Sequence, residues 1–137
     1  MRLVEVVAGL ETSSEAVAEA LAFAEGIGKQ PIRVPDQAGF LVNRLLIPYL
    51  NQAARLAESG FATFEDIDTA MCLGAGHPMG PFALIDLIGA DVCLAIGSSL
   101  AREFHATADS PSPELRRRAA LGWLGRKTGR GYYRYEE

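Results

Sequence analysis

The spacing of apolar and polar positions along the 137 residues changes character once. Residues 1–7, MRLVEVV, form a valine- and leucine-rich run that predicts a strand covered on both faces, with Glu5 set in its middle. In TSSEAVAEALAFAEGIGK, Val17, Leu21 and Ala24 recur at helical spacing. Thr12 with Glu15 predicts a capping box there, and Gly26 and Gly28 supply the stop. PIRVP, closed by Pro35, predicts a second short strand. Strand, helix and strand over about 35 residues make a βαβ crossover, which belongs to a parallel sheet. Two strands do not make an independently stable sheet. Residues 1–36 are therefore expected to be the last unit of a larger α/β domain whose other strands lie outside this sequence.

After Gly39 the pattern is helical only, so the expected class is mainly α, with residues 37–137 forming a helical domain. FLVNRLLIPYLNQAARLAES predicts a long amphipathic helix ending at Gly60, kinked where Pro48 removes a backbone bond. TFEDIDTAMCLG predicts a helix capped by Thr63, with acids in the first turn where the helix dipole favours them. GPFALIDLIG and ADVCLAIGSSLAREF predict two more, divided at Gly89, and Pro113 suits the first turn of another in SPSPELRRRAALGW. The glycine-punctuated, aromatic end, GRKTGRGYYRYEE, predicts an ordered loop or short extended tail.

Composition changes little in this picture. An apolar fraction of 49% with 22% charged residues is that of a globular protein. No apolar run approaches the roughly 20 residues of a membrane helix; PFALIDLIGADVCLAIG carries Asp86 and Asp91. Glu5 interrupts the apolar start, which has no cleavage-site pattern, so no signal peptide is read. Cys72 and Cys93 lie in apolar neighbourhoods without metal-ligand spacing, so two buried thiols in a reducing cytoplasm are expected, and no metal. The net charge of −4 is unevenly spread. Arg116, Arg117 and Arg118 read as the solvated face of a short helix, and nothing else favours nucleic acid.

Few residues carry candidate chemistry. GAGHPMG misses the dinucleotide-loop spacing by one residue and follows a helix, so it reads as a connector between helices. His105, at a predicted helix end, suits a surface cap, and His77 reads as structural. Asn43 interrupts FLVNRLL at a helix start. Its amide either satisfies an unpaired backbone group there or donates to a substrate oxygen, and its position favours neither.

LVEVV, then GK-x-P-I-x-V and GFLVNRLL-x-PYLN, then EDIDTAM-x-LGAG-x-PMGPF, then LGRKTGRGYYRY, in that order, resemble the C-terminal part of the 3-hydroxyacyl-CoA dehydrogenases. The resemblance covers nearly the whole chain. It implies a Rossmann-type NAD-binding domain, of which residues 1–36 are a remnant, followed by a helical domain that makes a homodimer. It also implies hydride transfer between an acyl-CoA substrate and NAD, with a histidine as general acid or base. By motif, Glu5 matches the glutamate that orients that histidine, and Asn43 matches the substrate-contacting asparagine. Lys127 in GRKTG matches a residue that approaches the cofactor in some members. The histidine motif, H-F-x-N-P, and the Gly-rich NAD loop would precede LVE and are not in these 137 residues. The resemblance therefore implies a chain that binds no NAD and is inactive alone, or a non-catalytic module that docks onto a separate NAD-binding chain. Ala38 stands where the family usually has proline, and His77 where many members have tyrosine.

Overall fold

The computed structural model describes residues 1–105 and 110–136, which fall into two compact units, Met1–Arg44 and Leu45–Glu137. The first unit is the βαβ crossover. Strand β1 (Leu3–Ala8) pairs in parallel with β2 (Gln30–Pro35), Glu5 opposite Ile32, and helix α1 (Ser14–Gly26) connects them. Val17 and Ala24 of α1 and Val34 of β2 are its buried apolar residues. β1 is half-buried along its whole length, not covered on both faces as its composition predicts.

The α1 cap differs by one residue from the expected Thr12 box. Ser13 is the N-cap, its hydroxyl accepting from the Ala16 amide at 3.1 Å, while Thr12 Oγ1 accepts from the Gly9 amide at 3.0 Å. Two adjacent hydroxyls can each satisfy a free amide, and the strand exit takes one of them. The helix ends as predicted, with the Gly28 amide donating to Glu25 O and the Lys29 amide to Ala24 O.

Helix α2 (Val42–Glu58) runs without a break through Pro48 and enters the second unit, where α3 (Phe64–Gly74), α4 (Pro81–Ile88), α5 (Ala90–Phe104) and α6 (Pro113–Ala120) follow. Ile47, Leu50, Ile67, Phe82, Ile85, Leu100 and Leu115 supply its core. Thr63 caps α3 as predicted, its hydroxyl accepting from the Asp66 amide. Gly89 divides α4 from α5, and the pair is bent by 97°. No single helix among the described residues is long and apolar enough to cross a membrane. His105 ends α5 at the surface, with φ 51°.

Two buried aspartates order the aromatic tail. The Asp86 carboxylate accepts from the Tyr132 amide at 2.9 Å, the Tyr133 amide at 2.8 Å and the Tyr135 hydroxyl at 3.0 Å. Asp68 accepts from the Phe82 and Ala83 amides at the start of α4 and from the Tyr133 hydroxyl. Gly131 passes so close to Asp86 that any Cβ would overlap its carboxylate, which explains the glycine in that motif.

The three arginines of α6 do not share one role. Arg116 and Arg117 are exposed, as expected of a solvated face. Arg118 is not: its side chain is 13% exposed, 3.9 Å over the Tyr132 ring, paired to Glu114 and donating to Gly131 O at 2.6 Å. A planar guanidinium can stack on a ring and still bond at its edges, so α6 uses it to hold the tail.

Desolvation, and then the charge of Asp86, push the Tyr135 phenol up to about 12 from its ordinary 10.0. The native state then holds a proton that the unfolded chain releases. This contribution is complete below the unfolded pKa and is lost as pH rises through the interval between the two values. Urea midpoints are expected to fall between about pH 9.5 and 11.5, and to fall less steeply in Tyr135→Phe. Identical slopes in parent and variant would contradict this.

Candidate active site

Glu5 projects from β1 and is half-buried. Its Oε1 accepts from two backbone amides, Leu41 at 3.1 Å and Val42 at 2.9 Å. Amides at a helix start lack partners within the helix, and the positive end of the helix dipole favours a carboxylate there. The first turn of α2 contains no acid of its own, so the strand supplies one.

The turn between β2 and α2 is tightly made. The Phe40 amide donates to Gln37 O at 3.0 Å, the Arg44 amide to Gly39 O at 3.1 Å, and Arg44 Nη1 to Gln37 Oε1 at 2.6 Å. Gly39 has φ 77° and Phe40 φ 46°, two consecutive left-handed residues. Glycine adopts this region freely, whereas a bulky residue is strained in it.

Asn43 lies in the first turn of α2, half-buried. The two amides immediately before it, of Leu41 and Val42, are taken by Glu5. No hydrogen bond between described residues involves the Asn43 side chain.

Lys127 belongs to the second unit, in a single 3-10 turn, Arg126–Thr128. Its Nζ donates to both oxygens of Asp91, at 2.6 and 2.8 Å, with both side chains 45% exposed. The Lys127 hydrogen bond holds the Asp91 carboxyl below its ordinary value. This ion pair at the start of α5 occupies the lysine within its own unit.

Neither the β1–α1 connection nor GAGHPMG has the form of a dinucleotide cradle. Such a cradle needs free amides at a glycine-rich helix start. Between β1 and α1 the Gly9 and Ala16 amides are already taken by Thr12 and Ser13. The GAGHPMG segment joins α3 to α4, with the His77 amide donating to Met71 O. The His77 ring packs on Tyr49, whose Oη lies 3.3 Å from Nδ1. Both cysteines are free thiols; Cys93 is buried, and desolvation pushes it up to about 12, while Cys72 is only half-buried. No cluster of three potential metal ligands occurs among the described residues.

Residues 39–135 match the family model described as 3-hydroxyacyl-CoA dehydrogenase, C-terminal domain, and residues 1–37 match its NAD binding domain. The chain belongs to the 3-hydroxyacyl-CoA dehydrogenase family.

Among similar dehydrogenases, a probable 3-hydroxybutyryl-CoA dehydrogenase of Bacillus subtilis is 47% identical over 137 residues, covering 100% of this chain and 48% of the relative. The mitochondrial hydroxyacyl-coenzyme A dehydrogenase of Homo sapiens is 46% identical, over 99% of this chain and 44% of its own length. The crystal structure of (S)-3-hydroxybutyryl-CoA dehydrogenase PaaH1 from Ralstonia eutropha superposes with a TM-score of 0.97 at 44% identity, over 100% of this chain and 48% of that one. The chain thus spans about half the length of the curated dehydrogenases it matches. The family is NAD-dependent, and its NAD-binding match here ends at residue 37.

Two features of the chain escape sequence reasoning: the double amide bond to Glu5 and the left-handed Phe40. Gly39 signals a turn, but nothing local signals that the next residue shares its conformation. Glu5 and its amides are 36 and 37 positions apart, beyond any local pattern.

Proposed function

We propose that this chain serves as the C-terminal portion of an NAD-dependent 3-hydroxyacyl-CoA dehydrogenase and supplies two members of its catalytic set, Glu5 and Asn43. The observation that carries the reading is that Glu5 uses Oε1 on the start of α2, the same helix turn that bears Asn43. The second carboxylate oxygen then orients a histidine contributed by the NAD-binding portion, and the Asn43 amide donates to the oxygen on the reacting carbon. Residues 1–36 act as the closing unit of the NAD-binding domain and residues 37–137 as the helical domain. Lys127 is assigned toward the cofactor, and it must leave or share Asp91 to reach it. The substrate class is 3-hydroxyacyl- or 3-ketoacyl-CoA, in fatty-acid or butanoate-type metabolism, in a reducing cytoplasmic setting. A homodimer through the helical unit is supported by exposed Phe61 (77%) and Leu73 (83%).

The test restores what the 137 residues do not contain. The polypeptide alone, given NADH and acetoacetyl-CoA, is expected to show no turnover above background. A chimera, with the unmatched portion of the Bacillus subtilis relative joined in front of Met1, is expected to oxidise NADH on acetoacetyl-CoA. A folded chimera without turnover would sink the proposal, and so would turnover by the chain alone. A second reading, docking onto a separate NAD-binding chain, is favoured by the two-stranded sheet, in which each strand keeps one edge unpaired. Supplying the same portion as a separate polypeptide distinguishes it: turnover on mixing supports docking.

A further inference from the structure

We infer that Glu5 is a positioning residue for Asn43, acting through the backbone, in addition to any role toward a histidine. Three observations converge on it. Glu5 Oε1 holds the amides of Leu41 and Val42, the two residues immediately before Asn43. Those amides follow Gly39 and Phe40, at φ 77° and φ 46°, and a phenylalanine does not keep that conformation without surroundings that enforce it. Asn43 itself shows no side-chain hydrogen bond to a described residue, so nothing of that kind orients it except the backbone on which it rides.

One carboxylate therefore has two separable duties. Reach is needed for the amides, because Oε1 must span from β1 to the start of α2. Charge is needed for a histidine. A glutamine keeps the reach and loses the charge, since its carbonyl oxygen still accepts from both amides. An aspartate keeps the charge and loses about 1.5 Å of reach, one carbon–carbon bond. The positioning of Asn43 follows reach, not charge. Its use on a substrate oxygen rests on the dehydrogenase reading; the anchoring does not.

The experiment is amide hydrogen exchange by NMR on the 137-residue chain, with Glu5→Gln and Glu5→Asp, so that no turnover is required. In Glu5→Asp, protection at Leu41 and Val42 is expected to fall at least about tenfold, the size of one lost hydrogen bond, and the Asn43 side-chain amide signals to move. In Glu5→Gln, protection is expected to stay within about threefold of the parent, with the Asn43 signals in place. Protection at Val6 and Val34, in the strand pair, reports whether each variant is folded. Any other pattern at Leu41 and Val42 overturns the inference: both variants protected, both exposed, or glutamine exposed with aspartate protected. An active chimera with such a pattern would leave the dehydrogenase reading standing and remove this one; an inactive chimera with the expected pattern would do the reverse.

Discussion

In the full-length chimera, Glu5→Gln is expected to lower kcat on acetoacetyl-CoA by about a hundred- to ten-thousand-fold while leaving KM within about threefold. The upper limit is what positioned proton transfer contributes, since a histidine without an oriented, charged partner loses that contribution and no more. KM is spared because the glutamine oxygen still reaches the Leu41 and Val42 amides, and Asn43 keeps its place. Glu5→Asp reverses the balance. It retains the charge but releases the turn, so KM for acetoacetyl-CoA is expected to rise with any loss in kcat. Steady-state kinetics on both variants decide it, and indistinguishable kcat and KM for the two would contradict the division of labour.

Asp86→Ala is expected to destabilise the second unit by about 3 to 5 kcal/mol, the largest effect of any single substitution considered. The residue is 1% exposed, and its carboxylate accepts from two backbone amides and a phenol. Its removal leaves three donors near the tail without an acceptor, each costing about 1–3 kcal/mol where water cannot reach. Local rearrangement that lets water in reduces the sum, so the lower part of the range is the firmer bound. For a unit of this size each kcal/mol lowers the melting temperature by about 4 to 8 °C. A loss of at least about 12 °C is therefore expected in a thermal melt followed by circular dichroism. A shift below about 4 °C would show that the tail is held by other means, chiefly the Arg118 stack on Tyr132.

The two substitutions have a common physical theme. In each, a carboxylate from one element satisfies backbone amides of another that is distant in sequence, and a strained or crowded backbone lies beside it. At Glu5 this is the left-handed Phe40; at Asp86 it is Gly131, where no Cβ fits. A carboxylate that accepts several backbone bonds costs little to bury and fixes geometry that apolar contact alone leaves loose.

Local chemistry accounts for most of the elements. The valine-rich strands, the helical spacing of Val17 and Ala24, the Thr63 cap, the break at Gly89 and Pro113 in the first turn of α6 all follow from residues within a few positions of one another. The order of motifs, and with it the family, was equally legible, because motif spacing is a property of the chain and needs no folding to be read. Tertiary structure decided what each polar side chain does. Thr12 and Ser13 are interchangeable as caps by type, and only the path of the strand exit assigned them. Arg118 looks like its neighbours Arg116 and Arg117 until the tail folds back over it. Glu5 looks like an odd charge in an apolar strand until the start of α2 brings the Leu41 and Val42 amides to it. The reason is common to all three. Secondary structure depends on neighbours in sequence, whereas the partner of a polar group is whichever donor or acceptor the fold brings within about 3 Å.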